Sequence, residues 1–159
     1  MVYRMKIGML LLFIAGVMFG CGGDDTETGD GHDHDHVHGD EGDDFDTAAS
    51  NLGLMFDDPV AAGRPSPSFG ADISPILTSR CATAGCHVAG GPHGVDLSTY
   101  DTLSAGSDDG AIVIAGNARE SEVVKQIVQG RMPPPPAEPL EAAQTQLIID
   151  WINEGAENN

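Results

Sequence analysis

A mainly α-helical domain of about four short helices with long irregular loops, preceded by a disordered tether, is the fold class this sequence predicts. Three observations lead there. Apolar residues recur at helical spacing in separate short stretches: Ile73, Ile76 and Leu77; Val123, Val124, Ile127 and Val128; Leu147, Ile148, Trp151 and Ile152. Glycine and proline, 21 and 10 of 159 residues, break the chain between them into loops. From Gly22 to about Ser68, by contrast, Asp, Gly, Glu, His, Ser and Pro prevail, and such a composition buries too little apolar surface to offset chain entropy.

The first element is a leader. Arg4 and Lys6 precede an apolar run from Ile7 to Phe19, closed by Gly20-Cys21, so residues 1–20 read as an export signal. The run falls short of the roughly 20 apolar residues that span a bilayer. A cysteine at the cleavage point resembles the lipobox of bacterial lipoproteins. That resemblance implies a mature chain beginning at a lipid-carrying Cys21, exported and anchored to a bacterial membrane on its periplasmic side or at the cell surface. An uncleaved anchor and an ordinary signal peptide are the alternatives.

Residues 21–68 follow as an acidic, His-rich linker, whose r.m.s. span as a flexible chain is on the order of 35–40 Å. Within it, His32, His34, His36 and His38 alternate with carboxylates, a pattern able to chelate a divalent transition metal; a solvated acidic spacer is the plainer reading. Leu52, Leu54, Met55 and Phe56 interrupt the polar run and predict a small docking patch, on the domain or on a partner.

The domain proper, residues 69–159, opens with a helix for which Asp72 is the expected N-cap and Pro75 lies in the first turn, where proline is tolerated. It runs into Cys81. A Gly-rich loop then leads to Val95, and a short helix is expected near Thr99 to Ser104, with Ser98 and Asp101 spaced as a capping box. Ile112 to Ile114 reads as extended. Asn117 is the expected cap of a helix to Gln129, stopped by Gly130, and the last helix is expected from about Leu140 to Glu154, ended by Gly155.

The chemistry lies in Cys81-Ala82-Thr83-Ala84-Gly85-Cys86-His87. Two thiols followed at once by an imidazole suit covalent haem attachment, each cysteine taking one vinyl group and His87 reaching the iron. Here four residues separate the cysteines where the usual motif has two. With Cys21 assigned to lipid, Cys81 and Cys86 are an isolated pair in an exported protein, so a short-loop disulfide is the competing reading, and a metal or redox-active thiol site the third. Met132, followed by four prolines that fix φ along its loop, is the candidate second axial ligand, against a packing methionine. His93 stands six residues past His87, a span of at most about 20 Å, which argues against its binding the opposite face of the ring. Arg119 and Arg131 are candidate partners for haem propionates or ordinary surface ion pairs.

Taken together, the stretch from about Phe69 to Ala156 resembles a small class I c-type cytochrome, closest to the planctomycete-type cytochrome c domains. The residues that carry the resemblance are Ile73 to Leu77 with Cys81 and Cys86-His87, Val95-Asp96-Leu97-Ser98, Ile112 to Gly116 before a helix and Met132-Pro133-Pro134, and Trp151-Ile152-Asn153-Glu154-Gly155-Ala156. It implies proximal His87, distal Met132, one haem c on Cys81 and Cys86, and crossed first and last helices packed through Ile76, Leu77, Leu147 and Trp151.

The function to expect is electron transfer by a lipid-anchored monohaem cytochrome, not enzymatic turnover. No Ser/His/Asp set, phosphate loop or acid–base carboxylate pair stands in the chain. The alternative is a haem-free, disulfide-closed binding module on a lipid tether, with metal buffering by the His32 to His38 tract. With 25 acidic against 7 basic residues and a net charge of −18, nucleic acid is excluded as a partner. A redox protein with a basic docking surface and, through Cys21, a lipid membrane are the partners expected.

Overall fold

The computed structural model describes residues 41–159; the leader expected over 1–20, the lipidation site Cys21 and the tract His32, His34, His36 and His38 lie outside the described residues. Among the described residues five α-helices form: α1 (Glu41–Asn51), α2 (Ser74–Arg80), α3 (Tyr100–Ala105), α4 (Glu122–Val128) and α5 (Ala142–Asn153). A π-helical turn, Phe69–Ile73, leads into α2, and a 3-10 turn spans Pro92–Gly94. The protein is mainly helical, as predicted, and no strand forms among the described residues beyond a single bridge between Ser107 and Gly110.

Helix starts differ from expectation in ways the side chains explain. Ser68, not Asp72, begins the first helical stretch: its Oγ accepts from Ala71 N (3.3 Å) while the Asp72 carboxylate accepts from Ser68 N (2.8 Å), so Asp72 is the far half of a capping pair. In α3 the reciprocal box is Thr99 with Thr102, because Ser98 already binds Asp96. Asn117 caps a preceding turn, accepting from Glu120 N (3.2 Å), and α4 begins only after Ser121.

Ile73, Leu77, Leu103, Val124, Ile148, Ile149 and Ile152 are fully buried and form the centre of one core. Ile76 and Trp151 join it and Leu147 packs partly against it. The π-helical turn is what meets α5: the Phe69 ring lies 5.5 Å from Trp151 and 5.1 Å, edge-on, from Tyr100. Both polar tips are satisfied, Tyr100 Oη donating to Ala156 O (2.9 Å) and Trp151 Nε1 to Glu157 O (2.9 Å). Asn159 returns to this point, its backbone oxygen accepting from Gly70 N (3.0 Å) and Ser68 Oγ (2.8 Å), and its side-chain oxygen from Phe69 N (2.7 Å).

The expectation of a disordered tether up to residue 68 does not hold from 41 onward. Phe45, Ala49 and Pro59 are buried, α1 packs against α4, and the irregular remainder is fastened along α5. Arg64 forks onto the buried Asp150 (Nε to Oδ2, 2.9 Å; Nη2 to Oδ1, 3.0 Å) and also reaches Asp57 (2.7 Å). Met55 and Gln146 exchange two hydrogen bonds of 2.8 Å, which seats the predicted docking patch on the domain itself. Average composition concealed this because Phe45, Ala48, Ala49 and Leu52 recur at helical spacing inside an acidic sequence.

Among the described residues no helix is long and apolar enough to cross a membrane.

Candidate functional site

Helix α2 ends where the cysteine motif begins. The amides of Cys81 and Ala82 both donate to Leu77 O (2.9 and 2.8 Å), which terminates the helix. The chain then loops through exposed Thr83, Ala84 and Gly85, Cys86 N donates to Thr83 O (2.9 Å), and His87 N closes the loop on Cys81 O (3.2 Å). Four residues between the cysteines therefore fold into a closed turn that sets His87 beside Cys81. Gly91 backs this turn so closely that a Cβ there would lie 2.2 Å from Cys86 O and 2.9 Å from Val88 O. On the far side Leu97 N pins His87 O at 3.0 Å.

The methionine arm is set by α4. After Gly130, which takes the positive φ (+68°) needed to end the helix, the amides of Arg131 (2.9 Å) and Met132 (3.0 Å) both donate to Gln126 O. Met132 is thereby turned back along α4.

Cys81, His87 and Met132 all line one cavity of about 440 Å³, within the range of ligand and cofactor sites. Its walls are apolar: Val95, Leu97 and Ile112 on one side, Val123 and Ile127 of α4 on the other. Cys86 is half-buried beside His87 and is not part of the lining. His87 Nδ1 is buried without a hydrogen-bond partner among the described residues. A buried polar atom left so costs about 1–3 kcal/mol. Burial, and after it the neighbouring His93, holds the His87 imidazole below the usual histidine range, so the neutral, metal-binding form prevails at neutral pH. Burial likewise pushes the Cys81 thiol up to about 11, against the opposing pull of Arg80. That is the opposite of an activated nucleophile.

These residues fit an iron porphyrin: an orphaned buried imidazole, a thioether and a thiol converge on an apolar cavity. Among the other candidates, Arg119 forms an ion pair with Asp46 and lies over the rings of Phe45 (5.4 Å) and Phe56 (5.0 Å), and neither it nor the exposed Arg131 lines the cavity. Propionate contacts from Arg119 are thus replaced by a contact to α1.

The polar rim was missed by sequence reasoning. His93, exposed and at φ 56°, lines the cavity with its Nδ1 3.5 Å from Asp109 Oδ2. The turns at 92–94 and 107–110 meet there: Asp108 N donates to His93 O (2.9 Å), and a Cβ on Gly94 would strike the Asp108 carboxylate at 2.6 Å. Glu122 and Gln126 also line the cavity, paired by a 2.6 Å hydrogen bond. Their four-residue spacing on the helix, around Val123 and Ile127, was the available signal.

Compared with known families, residues 84–136 match the family described as planctomycete cytochrome C. The matched stretch contains Cys86, His87 and Met132 and begins just after Cys81. No curated protein and no solved structure matches the chain.

Proposed function

We propose, on the premise that the match of residues 84–136 to the planctomycete cytochrome C family implies haem c, that the protein is a monohaem electron carrier. In this reading Cys81 and Cys86 hold one haem c through thioether bonds, and His87 and Met132 are its axial ligands. The observation that carries it is the convergence of Cys81, His87 and Met132, from opposite ends of the domain's middle, on one apolar cavity.

Bound haem supplies a one-electron iron couple, and His/Met ligation raises its potential. The chain's own residues do the rest. His87 presents a neutral imidazole from a loop fixed at both ends by backbone hydrogen bonds. Met132 presents a thioether from an arm hung on Gln126 O. Val95, Leu97, Ile112, Val123 and Ile127 exclude water, and low polarity of this kind is one of the levers on potential. If His87 and Met132 both held the iron, no position would be left on it for a substrate, and the role would be carriage, not turnover.

Lipid attachment at Cys21 after export would hold this carrier at a membrane surface, and a net charge of −18 suits a basic redox partner.

A pyridine haemochrome spectrum of protein matured with c-type cytochrome machinery, taken after acid–acetone extraction, tests the proposal. Haem retained by the polypeptide, and lost on Cys81→Ser with Cys86→Ser, is the expected result. A colourless chain beside a control cytochrome matured in the same cells overturns it and leaves a disulfide-closed binding module.

A further inference from the structure

Helix α4 has two occupied faces. Val123, Gln126 and Ile127 line the cavity, whereas Val124 and Val128 are buried without lining it. Against α4 packs α1, and the contact is locked by Arg119 at the helix approach, whose guanidinium pairs with Asp46 of α1 while covering the Phe45 and Phe56 rings, themselves 5.5 Å apart. The residues after α1 are then tied to α5 by Met55, on Gln146, and by Arg64, on Asp150. What α4 positions in turn is Met132, through the two amides that converge on Gln126 O.

We propose that residues 41–68 are a positioning strap for the methionine arm: α1 and Arg119 hold α4 in place so that Gln126 keeps the Met132 thioether at the cavity. The inference rests on the cytochrome reading for the use made of Met132, but the mechanical link is a property of the polypeptide. Arg119, Phe45 and Phe56 are positioning residues and touch no cofactor. Their contribution is to limit the fluctuation of the arm, so that the thioether is presented in one place with little entropy left to lose.

The link is read by amide hydrogen exchange on the full chain. Arg119→Gln removes the cation from above both rings at a half-exposed position where folding is not at risk. The Arg131 and Met132 amides should exchange about two- to fivefold faster, the factor that one exposed cation–ring contact is worth, while the Cys81 and Ala82 amides at the end of α2 keep their rates. Unchanged exchange at Arg131 and Met132 overturns the strap. So does equal acceleration at Cys81 and Ala82, which would mean a general loss of stability. In the haem-loaded protein, Phe45→Ala should weaken the far-red absorption of a thioether bound to ferric iron, and an unaltered band overturns the hold on the ligand. A chain that retains no haem defeats the cytochrome reading alone, since the exchange experiment still decides whether the strap holds the arm.

Discussion

The two sides of the molecule are built from different materials. Along α5, side chains do the fastening: Arg64 forks Asp150, Gln146 and Met55 exchange hydrogen bonds, the Asn153 amide reaches Phe56 O at 3.3 Å, and Phe69, Tyr100 and Trp151 interlock. Around the cavity the turns, which need glycine at positions 91 and 94, are fastened mostly backbone to backbone, and beyond the rim pairs His93–Asp109 and Glu122–Gln126 the lining side chains are largely apolar. Along α5 the one buried side-chain atom without a partner among the described residues is Glu154 Oε1, at the helix end. The cavity side leaves His87 Nδ1 unpartnered and two apolar walls apart, and a group that binds there in the folded chain alone stabilises the fold.

The largest test of this contrast is Arg64→Ala. It strands the Asp150 carboxylate, whose side chain is only 5% exposed, with Gln146 as its remaining side-chain partner. Leaving that carboxylate without its cation should give the largest loss of the series, read as a fall in urea stability followed by Trp151 fluorescence. Next comes Gly91→Ala on the cavity side. Forcing a Cβ against Cys86 O and Val88 O should cost about 1–3 kcal/mol and, unlike Arg64→Ala, lower the haem retained per folded chain. Met132→Ala is milder for the fold, no more than about 2 kcal/mol for a half-buried side chain, yet it should lower the reduction potential measured by redox titration. If the potential stays put, another residue binds the iron.

The smallest effect is a pH dependence at the strap. The hydrogen bond from Arg64 holds the Asp57 carboxyl below its usual range, and burial opposes it only in part. With a depressed folded pKa, the pair's contribution is fully present above the unfolded value of about 4 and is lost as pH falls through the folded one. Asp57→Asn should therefore flatten the dependence of the urea midpoint on pH through the carboxylate range. A profile identical to the parent's would show that this exposed pair adds nothing.

Most of the domain's helices were legible because their apolar residues keep a 3.6-residue register: Val123, Val124, Ile127 and Val128 could face nothing but a core. The cysteine motif and Met132 were legible for another reason, since thiol, imidazole and thioether are rare and chemically specific. Capping was harder. Ser68 and Thr99 displaced Asp72 and Ser98 at the helix starts because each assignment turns on which neighbouring amide a short side chain meets, while Ser121 precedes α4 without a side-chain cap, its Oγ being held by Ile114 and Asn117. The strap was legible only in part: Phe56 stood in the expected docking patch, but the helical register of Phe45, Ala48, Ala49 and Leu52 was masked by the acidic residues around it, and Arg64 meets Asp150 far along the chain. His93 at the rim is a similar case, brought there by the meeting of two turns.

Asn159 closes the domain on itself. By binding Ser68, Phe69 and Gly70 it brings residues 68 and 159 within one hydrogen bond of each other, so that residues 68–159 form a closed ring in all but covalent terms. Such a ring can be spliced into a surface loop of a host protein through two joints at a single point. A transplant of that kind would carry the cavity and its donors into a new scaffold and leave α1 behind.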